Sequence, residues 1–200
     1  MELNVESMEY EITLLEKLLG TVPKDKEIYA SYIAAKAPRD ENAQEEIVSV
    51  DEVEERGWTG FHSDSKGLFI YDYMIKGFLK AACETLQANG VIKKIPAYKK
   101  WFDKLVFVYP RRLYFGIKEP DGVLERPLRV MTPKGPRVSL ARSDFINEGR
   151  KIKCEVRLLT NNKISWDLIE ACFKYGEFCA LGQWRGSGGY GRIKVKPLSK

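Results

Sequence analysis

Between Gly182 and Gly191 the chain reads Gly182-Gln183-Trp184-Arg185-Gly186-Ser187-Gly188-Gly189-Tyr190-Gly191, followed by Arg192, so five glycines fall in ten residues. Glycine lacks a Cβ and loses the most entropy on ordering, so such a run belongs to neither a helix nor an ordinary strand. It allows positive φ and the close approach of a ligand, and its successive exposed N–H groups can form an anion-binding concavity. Arg185 and Arg192 bracket the run with fixed positive charge, and Trp184 and Tyr190 add flat π faces. Amides and guanidinium groups hold phosphates, and aromatic rings stack on bases, so these residue types suit a nucleic-acid strand. Glycine-rich turns also serve as linkers and tight hairpins, and composition alone leaves that reading open. Position adds weight to the first, because the run follows a predicted helix and feeds a predicted strand, Tyr190 to Val195.

The elements that must position this run can be read from periodicity. Met8 to Leu15 alternates as a first strand, broken by Leu18-Leu19-Gly20-Thr21-Val22-Pro23. Near-helical spacing of Ile28, Tyr32 and Ala35 predicts a helix over 24–36 that stops before Pro38. Gly57 to His62 and Gly67 to Tyr71 read as a hairpin joined by Ser63-Asp64-Ser65-Lys66. From Tyr73 to Ala88, the residues Ile75, Phe78, Leu79, Ala82, Cys83 and Leu86 form one apolar helical stripe, with Lys76, Lys80 and Glu84 opposite and Gly90 at the end. Gly77 in that helix costs about 1 kcal/mol relative to Ala, which a close approach would justify. Strands follow at 105–109 and 113–117, then at 125–131 and 137–141 around Pro133-Lys134-Gly135-Pro136. Lys151 to Leu158 alternates most strictly, which implies a sheet with one buried and one wet face. A last helix runs from Ser165, its N-cap, to Cys179. The order of elements predicts an α+β fold of the ferredoxin-like (RRM-like) type, an antiparallel sheet with helices on one face, plus insertions.

Two hundred residues suffice for one domain with a real core, and 44% hydrophobic with 30% charged residues is a globular composition. No run reaches the roughly 18 apolar residues of a membrane span, and Met1-Glu2-Leu3-Asn4 has no signal-peptide pattern, so a cytoplasmic protein is expected. Cys83, Cys154, Cys172 and Cys179 lack C-x-x-C spacing and read as buried thiols. No metal site and no cofactor are expected. The net charge of +5 is unevenly laid out. Residues 40–56 hold eight acids against Arg56, whereas 182–200 hold Arg185, Arg192, Lys194, Lys196 and Lys200 and no acid. Lys93, Lys94, Lys99, Lys100, Lys104, Arg111 and Arg112 form a second basic group. One positive face attracts polyanions beyond what net charge alone implies.

Two stretches resemble the RAMP superfamily of CRISPR-associated RNA-binding proteins. Leu181-Gly182 through Arg185-Gly186-Ser187-Gly188-Gly189-Tyr190-Gly191-Arg192-Ile193 resembles its glycine-rich loop, which runs into the closing strand. Tyr73-Met74-Ile75-Lys76-Gly77-Phe78-Leu79-Lys80-Ala81-Ala82 resembles the start of the first long helix in its backbone-forming subunits, where a Ser-Leu-Lys-Gly pattern is usual. Leu18-Leu19-Gly20-Thr21 is a third, weaker match. In this chain Asp72, Tyr73 and Met74 stand where serines are usual. The Gly182-Gln183-Trp184-Arg185 run is also similar to small phage and prophage proteins, which would make the chain a stand-alone relative. The resemblance implies a single RAMP-like domain over 1–200, with a helical and acidic insertion at 24–56.

The leading expectation is a protein that binds single-stranded nucleic acid, RNA first and DNA as the alternative, and associates with itself or with CRISPR-type subunits along the strand. Gly182, Trp184, Arg185, Gly186, Ser187, Gly188, Gly189, Tyr190 and Arg192 would grip the strand, and Lys76 and Lys80 would line the same groove. One branch of the resembled family cleaves RNA without metal, often with histidine, which would give the lone His62 a catalytic role. In the third reading, a phage protein mimics a CRISPR subunit and uses the acidic segment 40–56 to bind a host complex. No membrane partner is expected.

Overall fold

A computed structural model describes residues 3–24, 57–132 and 135–199. Apart from Lys24, the expected insertion at 24–56, with its helix and acidic run, lies outside the described residues. In chain order the elements are β1 (Val5–Leu14), β2 (Leu18–Leu19), β3 (Val22–Pro23), β4 (Trp58–Gly60), β5 (His62–Asp64), β6 (Gly67–Tyr71) and α1 (Asp72–Ala88). They continue with α2 (Tyr98–Leu105), β7 (Val106–Tyr109), β8 (Arg112–Tyr114), β9 (Gly122–Thr132), β10 (Gly135–Ile146), β11 (Lys151–Leu159), α3 (Trp166–Tyr175) and β12 (Ile193–Ser199). The architecture is mixed α+β.

The largest share of the core comes from a four-stranded antiparallel sheet ordered β12-β1-β11-β7. Alternation builds it. Met8, Tyr10, Ile12 and Leu14 of β1 and Ile152, Cys154, Val156 and Leu158 of β11 turn inward, while Glu9, Lys151, Lys153 and Arg157 face water. Helix α1 buries Ile75, Phe78, Leu79, Ala82 and Cys83, and α3 buries Leu168, Ile169, Cys172 and Phe173 in the same core. Ser165 caps α3 by accepting the Leu168 N–H at 3.3 Å. The Tyr10 and Phe173 rings meet at 4.7 Å. Cys83, Cys154 and Cys172 are buried and Cys179 half-buried, all as free thiols, and burial pushes the Cys154 thiol up to about 12.

Two smaller sheets share this core through Leu18, Leu68, Ile70, Leu113 and Ile146. In one, the β9–β10 hairpin pairs from Gly122↔Phe145 to Thr132↔Gly135, and the edge of β10 opposite β9 takes β4, in parallel, at Arg142 and Ser143 and then β2 at Phe145 and Ile146. In the second, β6 lies between β5 and β8.

Several local features differ from the sequence reading. The run 57–62, expected as one arm of a hairpin, divides. β4 pairs with β10 and only β5 pairs with β6, because Phe61 turns inward against Phe115 and breaks the strand between them. The basic connection before β7 holds the helix α2, whose Tyr98, Trp101, Phe102 and Leu105 recur at helical spacing, with Phe102 fully buried. Gly77 has no close neighbour, since a Cβ there would meet nothing within 4 Å. The last strand begins at Ile193 rather than Tyr190. Gly191, at φ +66°, donates its N–H to the Lys17 carbonyl and keeps the preceding residues in the loop.

The contrast between Gly77 and its buried neighbour is testable by urea unfolding. Gly77→Ala should stabilise the protein by about 0.5–1 kcal/mol, and Ile75→Ala should destabilise it by about 2–5 kcal/mol. A loss of stability in Gly77→Ala would mean that a contact fills that open helix face.

Candidate nucleic-acid interface

The glycine loop is held at its two ends and open at its tip. At the base, the Leu181 N–H donates to the Gly191 carbonyl at 3.0 Å, the Gly191 N–H to Lys17 at 2.9 Å and the Leu15 N–H to Arg192 at 2.8 Å. Gly182 and Gly191 both have positive φ, and a Cβ would meet the Leu19 carbonyl oxygen at 2.7 Å at the first and the Leu181 carbonyl oxygen at 2.0 Å at the second. These two glycines are therefore demanded by packing. At the tip, Arg185, Gly186, Ser187 and Gly188 are exposed, and a Cβ at Gly186 or Gly189 would meet nothing within 4 Å. The Gly188 and Tyr190 N–H groups both point back to the Trp184 carbonyl, at 3.1 and 3.4 Å.

Trp184 is the unusual residue of the loop. Its backbone lies at φ 55°, the left-handed region that costs a large side chain on the order of 1–3 kcal/mol, yet its side chain is not buried to repay that cost: the residue is 38% exposed. The Arg126 guanidinium lies 4.4 Å over its ring and 5.6 Å over that of Tyr190. Arg126 donates from Nη2 to Ser143 Oγ at 3.2 Å, while its Nε and Nη1 are buried with no hydrogen-bond partner. Burial pulls the pKa of this guanidinium below its ordinary value.

Beneath the loop lies a polar seam between β10 and β4. Gln183 Oε1 accepts from the Ser143 hydroxyl at 3.2 Å and the Thr59 hydroxyl at 3.4 Å, and the two hydroxyls meet at 3.0 Å. Asp144, 3% exposed, accepts from the Trp58 indole N–H at 2.8 Å and pairs with Lys24 at 2.8 Å. Lys24 in turn sits 4.2 Å over the Trp58 ring. Two glycines make this packing possible. A Cβ on Gly60 would lie 2.7 Å from Asp144 Oδ2, and one on Gly20 would lie 2.3 Å from the Gly60 carbonyl oxygen.

Other residues singled out in the sequence have different neighbours. Arg192 pairs with Glu16, and Arg185 reaches the Ala180 carbonyl at 3.4 Å. Lys80 pairs with Asp103 at 2.9 Å and Lys76 reaches the Asp103 carbonyl at 3.4 Å, so both turn toward α2, while the loop contacts β2, β4, β9 and β10. Desolvation lowers the Lys76 pKa. His62 lies 5.6 Å from the Phe69 ring, stacked, and 4.7 Å from Tyr71, edge-on. No group of three or more metal-binding side chains occurs among the described residues, and none of their helices is long and apolar enough to cross a membrane. Sequence reading passed over Arg126, Thr59, Ser143 and Asp144. Arg126 occupies an alternating strand and reads as an outward charge, and the seam exists only where strands distant in sequence meet.

No protein-family model and no curated protein matches the chain. Among solved structures, it is similar to a chain in "Cryo-EM structure of the Type III-B Cmr-beta bound to cognate target RNA". Identity there is 10% and the TM-score 0.49, over 98% of this chain and 61% of that one. It is also similar to a chain of a "Type IV-B CRISPR Complex", at 11% identity and TM-score 0.45, over 96% of this chain and 90% of that one. The chain thus spans less than two thirds of the first of these. Both scores lie below 0.5, so the chemistry has to be read from this chain's own residues.

Asp144→Ala leaves the Trp58 indole and the Lys24 ammonium without their acceptor and should cost roughly 2–4 kcal/mol in chemical denaturation. An unchanged unfolding midpoint would show that the seam does not depend on this carboxylate.

Proposed function

We propose that this chain binds single-stranded nucleic acid, RNA in preference to DNA, through the loop Gly182 to Arg192. The observation that carries this reading is Trp184, exposed on a strained backbone with a desolvated guanidinium packed against its ring. A ring held in that way is a preorganised platform for a planar base. The exposed backbone of Gly186 and Ser187, with the Arg185 guanidinium, supplies donors for phosphate, while Gly188 and Gly189 turn their N–H groups back into the loop. Tyr190 shares Arg126 with Trp184 and supports the same platform. Arg192 holds the exit of the loop through Glu16, and Lys76 and Lys80 add flanking charge on α1.

The four-stranded sheet supports a ferredoxin-like module as the carrier of this loop. Its order is fourth, first, third, second among those strands, with α1 after the first and α3 after the third. In this reading the chain is a single module into which residues 24–56 are inserted. Self-association along the strand, alone or with CRISPR-type subunits, is the expected mode of use.

Fluorescence anisotropy with a labelled single strand of about 15 nucleotides tests the assignment. Trp184→Ala should weaken binding by about 5- to 100-fold, the loss of one base stack. Arg185→Ala should reduce the slope of log K against log salt by about 0.7, as one lost phosphate contact does. DNA of the same sequence should bind more weakly than RNA. Wild-type affinity in the Trp184→Ala/Arg185→Ala double variant would sink the proposal.

A further inference from the structure

At the edge of the four-stranded sheet, the turn Tyr109-Pro110-Arg111-Arg112 meets the start of α1 and gathers planar side chains. Tyr71 and Tyr73 stack 5.3 Å apart at an interplanar angle of 20°, and the Arg111 guanidinium lies 5.1 Å from the first ring and 5.4 Å from the second. The turn is fastened there. The Asp72 N–H donates to the Arg111 carbonyl at 3.1 Å, and Arg111 Nη1 lies 2.6 Å from the Asp72 carboxylate. Two residues earlier, Tyr109 carries the Arg157 guanidinium 4.5 Å over its ring and forms one wall of a cleft of about 310 Å³ that also includes Pro110, Lys153 and Glu155. Tyr73 is 45% and Tyr109 42% exposed.

Charge at this corner is balanced, with Arg111 on Asp72, Arg112 on Asp64 and Arg157 on Glu155. What it offers is therefore planar surface rather than net positive potential. Tyr and Arg are common at protein interfaces too, but the core of such an interface is depleted in charge, whereas these rings are surrounded by Asp64, Asp72, Lys153, Glu155 and the three guanidinium groups. Unpaired bases stack on both tyrosine rings and guanidinium planes. The central strands of the open sheet face carry no rings facing water, but small and charged side chains such as Ser7, Glu9, Glu11, Lys153 and Glu155. Any stacking on this side of the molecule is thus confined to the corner.

We propose that Tyr73 and Tyr109, backed by Arg111 and Arg157, form a second base-stacking surface, separate from the glycine loop, that engages another part of the same single strand. This rests on the nucleic-acid function proposed above. Because the corner is neutral, it contributes affinity without salt dependence and favours purines, which stack more strongly, over pyrimidines.

The test compares the full chain with Tyr73→Ala/Tyr109→Ala and with Trp184→Ala/Arg185→Ala, using labelled oligo-A and oligo-U RNA over a salt series. The tyrosine double variant should lose about tenfold or more in oligo-A affinity, retain the wild-type salt slope and lose the preference for A over U. Tyr73→Phe/Tyr109→Phe should bind as wild type. Both tyrosines are exposed, so truncation leaves the core intact, and a wild-type melting temperature checks this. Unchanged RNA affinity in the tyrosine variant, with loss in the loop variant, overturns this surface and leaves the loop standing. A tyrosine variant that changes the size-exclusion mass but not RNA affinity assigns the corner to a protein contact and overturns the proposal. No RNA binding by the wild-type chain rejects both proposals together.

Discussion

A buried carboxylate needs a partner, and in this protein the partners of Asp144 come from segments far apart in sequence. Lys24 follows the first hairpin-like turn, Trp58 opens β4, and Asp144 itself lies late in β10. An unpaired charge at that depth would cost several kcal/mol, so each of the three segments stabilises the placement of the other two. Their assembly brings the backbones of Gly20 and Gly60 into contact and presents Thr59 and Ser143 to Gln183 at the base of the loop. The glycine loop thus stands on a polar seam whose geometry is set by one ion pair and one indole hydrogen bond.

Glycine does two different jobs in the loop. At Gly182 and Gly191 a side chain is excluded by carbonyl groups of the neighbouring backbone, and positive φ is required as well. At Gly186 and Gly189 nothing stands in the way, so absence of a side chain there leaves the backbone bare rather than packed. The base is therefore stiff, while the tip leaves the backbone at Gly186 and Ser187 exposed. Trp184 sits at the junction of these regimes, with its carbonyl drawn inward by Gly188 and Tyr190 and its ring turned onto Arg126. Removing the loop's context would remove the reason for its conformation.

Several surface cations are already engaged, among them Lys80 with Asp103, Lys151 with Glu11, Arg111 with Asp72 and Arg192 with Glu16. Exposed ion pairs of this kind contribute about 0–1 kcal/mol each. A phosphate can therefore displace a carboxylate partner at little expense, and the pairs orient guanidinium groups without locking them. Arg126 is different. It is desolvated, and its stacking on two rings stands where Nε and Nη1 make no hydrogen bond among the described residues.

Local pattern alone was enough to locate β1, β11, α1 and α3. Alternation at Met8, Tyr10, Ile12 and Leu14, or the stripe from Ile75 to Cys83, depends only on which face of an element must leave water. The same periodicity was present in Tyr98 to Leu105, where the lysines masked it. The glycine loop, its two arginines and its two rings were equally legible as types of residue. Which glycines are structural, which arginine is tied to Glu16 and which charge lies under Trp184 were not, because each depends on contacts between residues separated by tens of positions. The division of Trp58 to Asp64 between two sheets belongs to the same class. Sequence determined the elements and the chemical inventory, through periodicity and composition. Tertiary structure alone decided which members of that inventory face one another, since strand pairing brings distant side chains within hydrogen-bonding range and no local pattern encodes that distance.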